Sequence, residues 1–323
     1  MPRPREQQIS LADTPYYHIV SRCVRRTFLC GVDHHTGHSY EHRRQWIEQR
    51  IRLLSSIFTI DLCAYAVMSN HYHLLVKLSP EQAEGWSDNE VLERWTSLFK
   101  GPLLFQRYQS GEELHEAERQ FVKRIIGVYR QRLTDISWFM KCLNESIARE
   151  ANREDDCTGH FWESRFKSQA LLSEQAVLSC MAYVDLNPVR AAMAETPETS
   201  DYTSIRERLS PQFSLEEAIQ AQSEQLFLKQ FPLPLKPLLD FEGAVRNETQ
   251  RGILFSLSDY LELVDYTGRI INPNKRGHIP QHQPTILKRL GLSTDEWLAE
   301  ATEFEARYQD NRRAHLDRRR SAA

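Results

Sequence analysis

The sequence predicts an α+β fold, with helices packed on a mainly antiparallel β-sheet. Three observations predict it. Ile60 to Val67 and His71 to Leu78 both read as strands and are joined only by Met68-Ser69-Asn70, so they form an antiparallel hairpin. An earlier run beginning at Tyr16 and a later one from Gly159 to Ala170 supply further strands. Between and after them, apolar residues recur at helical spacing.

Taken in order, Tyr16 to Arg25 is rich in aromatic and β-branched residues and is the first strand. Arg26 to Cys30 either extends it or bends into a loop at Gly31. From Glu41 to Phe58, Trp46, Ile47, Ile51, Leu54 and Phe58 form one helix face, opposite Arg43, Arg44 and Arg50. After the hairpin, residues 80–133 read as a helical insertion with amphipathic stretches at Asn89–Phe99 and Glu112–Arg132. A further helix runs from Ile136 to Arg153 and gives way to Glu154-Asp155-Asp156. Ser173 can cap a helix running to Asn187, where Pro188 stops it.

The character of the pattern changes near residue 200, which divides the chain into an α+β region, 1–200, and a mostly helical C-terminal region, 201–323. Pro232, Pro234 and Pro237 suggest a linker. Helical segments follow near Ser256–Val264, Pro284–Leu290 and Ser293–Tyr308. The Ser293/Glu296 spacing is a capping-box signature, which allows a helix-turn-helix. Asp295, Glu296, Glu300, Glu303 and Glu305 make that second helix a poor partner for phosphate, so a plain helical hairpin is the simpler reading.

Composition sets outer bounds. The 323 residues are 41% hydrophobic and 26% charged, ordinary for a globular protein, and no apolar run is long enough to span a membrane. The polar start, without an apolar signal core, and six scattered cysteines with no C-x-x-C pair lead us to expect a reducing, cytoplasmic setting. The net charge of -3 hides its distribution: residues 1–80 carry ten Lys and Arg against six Asp and Glu, the next eighty are acidic, and the C-terminus is arginine-rich. Charge therefore neither excludes nor establishes a nucleic-acid partner.

Chemistry concentrates in two places. Along a strand His71 and His73 point the same way, while Tyr72, Leu74, Val76 and Leu78 take the core face. Paired imidazoles on a rigid sheet suit metal binding or proton handling, although a strand histidine can also be purely structural. On the later helix Val177, Cys180, Met181 and Val184 form the packing stripe, and Tyr183 and Asn187 lie four apart on another face. Two imidazoles and the Asn187 carboxamide would suit a divalent ion such as Mg²⁺ or Mn²⁺ on a phosphate oxygen. Equally, Asn187 could merely precede a helix-stopping proline, with Tyr183 a half-buried aromatic.

The blocks His71-Tyr72-His73, then Gly159-His160-Phe161-Trp162-Glu163-Ser164-Arg165-Phe166-Lys167-Ser168, then Tyr183-Val184-Asp185-Leu186-Asn187-Pro188-Val189-Arg190 occur in that order. The order resembles the single-tyrosine HUH transposases, in particular the REP-associated tyrosine transposases of bacteria, over roughly residues 14–200 apart from the helical insertion. The resemblance implies a ferredoxin-like, RRM-like sheet, the HUH endonuclease fold, with the histidine pair on its central strand. It implies metal-assisted cleavage and rejoining of single-stranded, hairpin-bearing DNA such as REP-like inverted repeats, by a monomer or a homodimer. By the same resemblance His71 and His73 are ligands of Mg²⁺ or Mn²⁺, Tyr183 is the nucleophile, and Asn187 matches the third-ligand position, where some relatives have Gln.

That chemistry is coherent. A tyrosine hydroxyl, with a pKa of about 10, needs activation, and a cation can polarise the phosphate it attacks. For DNA contact, Arg22, Arg25 and Arg26 lie on or after the first strand, and Arg165 and Lys167 share one face of the later one, opposite Trp162 and Phe166. Those two aromatics could stack on bases or belong to the core. His34, His35 and His38 sit in a polar loop and are not taken as a metal site. Two further functions compete: a domesticated hairpin-DNA-binding regulator with dispensable catalysis, and a histidine-based hydrolase of small phosphoesters.

Overall fold

The computed structural model describes residues 9–24, 29–33, 37–221, 233–243 and 252–290. Its sheet has four strands: β1 (Tyr16–Arg22), β2 (Ile60–Val67), β3 (His71–Leu78) and β4 (Lys167–Ala170). Their order is β2-β3-β1-β4, and every pairing is antiparallel. The helices are α1 (His42–Ile57), α2 (Asp88–Thr96), α3 (Leu103–Gln109), α4 (Glu116–Leu133), α5 (Ile136–Glu154), α6 (Glu174–Asp185), α7 (Asn187–Arg190), α8 (Ser204–Leu209), α9 (Leu215–Ala221), α10 (Leu257–Arg269) and α11 (Ile286–Arg289). The expected α+β class and the β2–β3 hairpin are present. No helix among the described residues is long and apolar enough to cross a membrane.

Alternation along the strands builds two cores. Tyr17 and Ile19 of β1, Leu62, Tyr65 and Val67 of β2, and Tyr72, Leu74 and Val76 of β3 are buried in one cluster with α1 and α5. Ala64, Ala66 and Leu75 belong to the other, with Val177, Met181 and Val184 of α6 and Tyr260, Leu261 and Val264 of α10. The small side chains of β2 let α6 approach the sheet closely. A bulge between Leu62 and Ala64 turns the adjacent Cys63 and Ala64 both toward this second core. The insertion helices extend the first core through Trp95, which stacks on Tyr129 and Phe99 and meets Trp138.

Although β2 lies at the sheet edge, all eight of its residues are buried. The chain beyond residue 200 covers it. Val67 donates its amide to the Tyr202 carbonyl, the Ser204 hydroxyl takes the Tyr65 amide at 3.0 Å, and Leu239 donates to the Leu62 carbonyl at 2.8 Å. Lys236 pairs with Asp61 of the same strand at 2.5 Å. The stretch containing Pro234 and Pro237, expected as a linker, thus lies against the sheet. Pro232, like the expected Ser293–Tyr308 helix, lies outside the described residues.

Several element boundaries differ from expectation, and two of them bear on the site. The strand expected over 159–170 is regular only at Lys167–Ala170. Before it, Phe161 is fully buried, and Trp162 packs edge-on against Tyr72 and donates Nε1–H to the Asn144 carbonyl at 2.8 Å. Adjacent residues turned to the same core cannot keep the alternation of a strand. The helix expected to reach Asn187 ends at Asp185, and Pro188 sits inside the next short turn, α7, where a first-turn proline is tolerated. The N-terminus of α6 is as expected, with the Ser173 hydroxyl accepting the Ala176 amide at 3.1 Å.

Candidate active site

The strand register sets the site. Residues directly opposite in adjacent strands share a sheet face, and here Arg22 faces His71, Val20 faces both His73 and Lys167, and His18 faces Leu75 and Gln169. One face therefore carries His18, His71, His73, Arg22 and Lys167 together. Over it lies α6, which brings the Tyr183 ring edge-on to His73, with centroids 5.5 Å apart, and to His18 at 6.0 Å. Tyr183 is 46% exposed although its helix is half buried, so it remains open to solvent.

The imidazoles form an ordered chain. His71 Nε2 lies 2.9 Å from His73 Nε2, and His73 Nδ1 lies 2.9 Å from Nε2 of His18, whose ring stacks on that of His73. His71 Nδ1 lies 2.6 Å from the Asn70 side-chain oxygen, which can only accept, so Nδ1 carries the proton and Nε2 a lone pair. A proton on His73 Nδ1, donated to His18, puts the His73 lone pair on Nε2 as well. Burial, with the Arg22 and Lys275 charges nearby, pushes His71 down to about 4. Burial, then His71 and His18, push His73 down to about 2. Both rings are neutral at pH 7.

This donor set fits a divalent cation. Adjacent ligands of an octahedral ion with bonds of about 2.1 Å lie about 3 Å apart, close to the spacing of the two Nε2 atoms. Outer partners on each Nδ1, Asn70 and His18, are the usual means of orienting ligating histidines. Among the described residues no group of three or more His, Cys, Asp and Glu side chains could hold a metal by itself, so the pair would need an amide, water or substrate oxygen to complete it. Asn187 is buried, and its side-chain nitrogen donates to the Tyr183 carbonyl at 3.0 Å. The amide thus braces the turn that carries Tyr183.

The cations expected to meet DNA separate into three groups. Arg22 and Lys167 are exposed on the imidazole face, and Arg165 is exposed just before β4. Arg25 and Arg26 lie outside the described residues. Trp162 and Phe166 pack against the first core rather than standing ready to stack on bases. The structure adds residues that sequence reasoning missed. His18 is a lone histidine in an aromatic strand, and only strand pairing brings it to His73. Asn70 reads as a turn residue. Lys275 belongs to a loop after α10, yet its charge reaches both imidazoles. A groove of about 750 Å³ opens at the other end of the same face, among Tyr16, Lys77, Leu171 and Glu174, and none of these histidines lines it.

No family model and no curated protein matches the chain. A solved structure of a REP-associated tyrosine transposase bound to a REP hairpin is similar over 67% of this chain and 90% of that one, with 11% identity and a TM-score of 0.37. By its own residues the molecule is a mixed α/β protein with a four-stranded antiparallel sheet, carrying a histidine pair and an exposed tyrosine on one face.

Proposed function

We propose that this protein cleaves and rejoins single-stranded, hairpin-bearing DNA through a covalent 5′-phosphotyrosine at Tyr183. In this reading Mg²⁺ or Mn²⁺ is held by His71 and His73, with Asn187 as third ligand. The observation that carries it is the Tyr183 ring standing edge-on to His73, 5.5 Å between centroids, over two neutral imidazoles whose Nε2 atoms converge. Bound there, the cation supplies polarisation of the scissile phosphate and neutralises charge on the departing oxygen.

The chain's own residues do the rest. The Tyr183 oxygen attacks phosphorus, its proton passes to solvent, and the bond to the 3′-oxygen breaks. That oxygen takes up a proton and leaves as a free 3′-hydroxyl. The new phosphotyrosine ester retains the bond energy of the diester, so rejoining needs no nucleotide cofactor. Arg22, Lys167 and Arg165 provide exposed positive charge for the flanking phosphates. His18 and Asn70 hold the two histidines in the tautomer the site needs.

The test is to incubate the full chain with hairpin-bearing single strands and Mn²⁺ and resolve the products on a denaturing gel. A covalent protein–DNA band is expected, lost in Tyr183→Phe and on chelation. Equal cleavage by wild type and Tyr183→Phe would overturn the nucleophile. Tight hairpin binding that survives both changes, with no adduct in wild type, would instead support a DNA-binding regulator.

A further inference from the structure

Asp185 sits between Tyr183 and Asn187 and is completely buried. Its carboxylate accepts three hydrogen bonds from two distant segments. Oδ1 takes the Ser204 hydroxyl at 2.5 Å and the Ile205 amide at 3.0 Å, and Oδ2 takes the Tyr260 hydroxyl. Burying a carboxylate is costly, and an apolar side chain would suit the surrounding cluster of Val177, Met181, Val184 and Val264 at least as well. What the carboxylate adds is direction, because each acceptor position is set by a donor on a different element.

Direction matters here because of helix geometry. Each residue turns about 100° around the axis, so Asp185 lies about 200° from Tyr183, on the far side of α6. An anchor at Asp185 therefore sets which way Tyr183 faces. The segment that supplies Tyr260 also grips the turn just beyond. Arg190 donates to the carbonyls of Thr267 and Ile270, both at 2.6 Å, and the Arg276 and Gly277 amides donate to the Arg190 carbonyl. The fit at Gly277 is so close that a Cβ there would meet the Val189 carbonyl oxygen at 2.1 Å.

We propose that Tyr260, acting with Ser204 through Asp185, is a positioning residue that sets the rotation of α6 and so aims Tyr183 at the histidine pair. The proposal makes the segment from residue 252 to 290 part of the catalytic unit, and it rests on the reading of Tyr183 as the nucleophile. The Tyr260 hydroxyl bonds Asp185, and its ring packs on Phe241. It acts through the helix.

The experiment uses the full chain carrying 3-fluorotyrosine at position 183, with Tyr260→Phe as the variant and Tyr65→Phe as the control. Tyr65 also loses one buried hydroxyl bond, to Glu48 at 2.7 Å, but on the opposite side of the sheet. Tyr260→Phe should shift or broaden the ¹⁹F resonance and slow adduct formation by about tenfold, with hairpin affinity and KM within about twofold. Tyr65→Phe should leave both signals at wild-type values. The proposal is overturned if Tyr260→Phe leaves the resonance and the rate unchanged, or if Tyr65→Phe alters them equally. If wild type forms no adduct, the proposed function fails, and the ¹⁹F comparison still decides the positioning role.

Discussion

The two faces of β3 share one backbone and opposite purposes. On the closed face Tyr72 is completely buried, and its hydroxyl donates to Asn144, whose amide donates in turn to Ser21 at 3.1 Å. Burial pushes the Tyr72 hydroxyl well above its ordinary range. On the other face the exposed Tyr183 meets two imidazoles whose Nε2 atoms face each other at 2.9 Å. A buried polar group whose partners are all internal serves the fold. A polar group left at an opening beside neutral histidines contributes little to the fold, and that difference in partners, rather than residue type, separates the two tyrosines.

The sharpest way to break this contrast is to cut each face in turn. His73→Ala should lower adduct formation at least about a hundredfold while shifting unfolding free energy by only about 1 kcal/mol. Leu74→Ala, one residue along, should cost roughly 2–5 kcal/mol and leave chemistry intact wherever the protein remains folded. Paired adduct assays and denaturant titrations measure both. If the two variants lose stability and activity in the same proportion, the faces are not functionally distinct.

The closed face also carries a pH signature. Glu48, on α1 against Tyr65, is pushed up to about 7, chiefly by burial and secondarily by Glu207 and Asp201, with the Tyr65 hydroxyl and Arg52 opposing. The folded state therefore holds this proton to higher pH than the unfolded chain, whose carboxyl titrates near 4.5. Its contribution is greatest below that value and declines as pH rises to about 7, a loss of a few kcal/mol in all. Denaturation midpoints measured across that window should fall for wild type and flatten for Glu48→Gln.

Two smaller effects belong to the open face. His18→Phe keeps a ring beside His73 but removes the nitrogen that sets its tautomer, so Mn²⁺ affinity measured by calorimetry should drop about tenfold to a hundredfold. Arg22→Gln and Lys275→Gln should each reduce the slope of log affinity against log salt for single-stranded DNA by about 0.7. An unchanged slope in either would remove that cation from the binding surface.

Local rules made half of this legible. Three residues between two strand-like runs leave only a hairpin, and a period of two puts His71 and His73 together. A period near four does the same for Tyr183 and Asn187. What escaped depends on partners distant in the chain. His18 becomes a site residue only through β1–β3 pairing. The end of α6 falls at Asp185, which is bonded to Ser204 and Tyr260, 19 and 75 residues away. The strand before Lys167 breaks because both Phe161 and Trp162 turn inward, a choice made by Tyr72 and Asn144 rather than by local preference. Prolines that read as a linker instead lie against an edge whose need for cover no local pattern reveals.

That covered edge limits how copies of the molecule can associate. Eight residues of β2 would otherwise offer a long apolar template to any passing strand. With Tyr202, Ser204 and Leu239 seated along it, a neighbour seeking to extend the sheet finds β4, only four residues long and bearing an exposed lysine. Self-association would then run through helix surfaces, and a fragment cut at residue 200 would bare the edge and tend to precipitate.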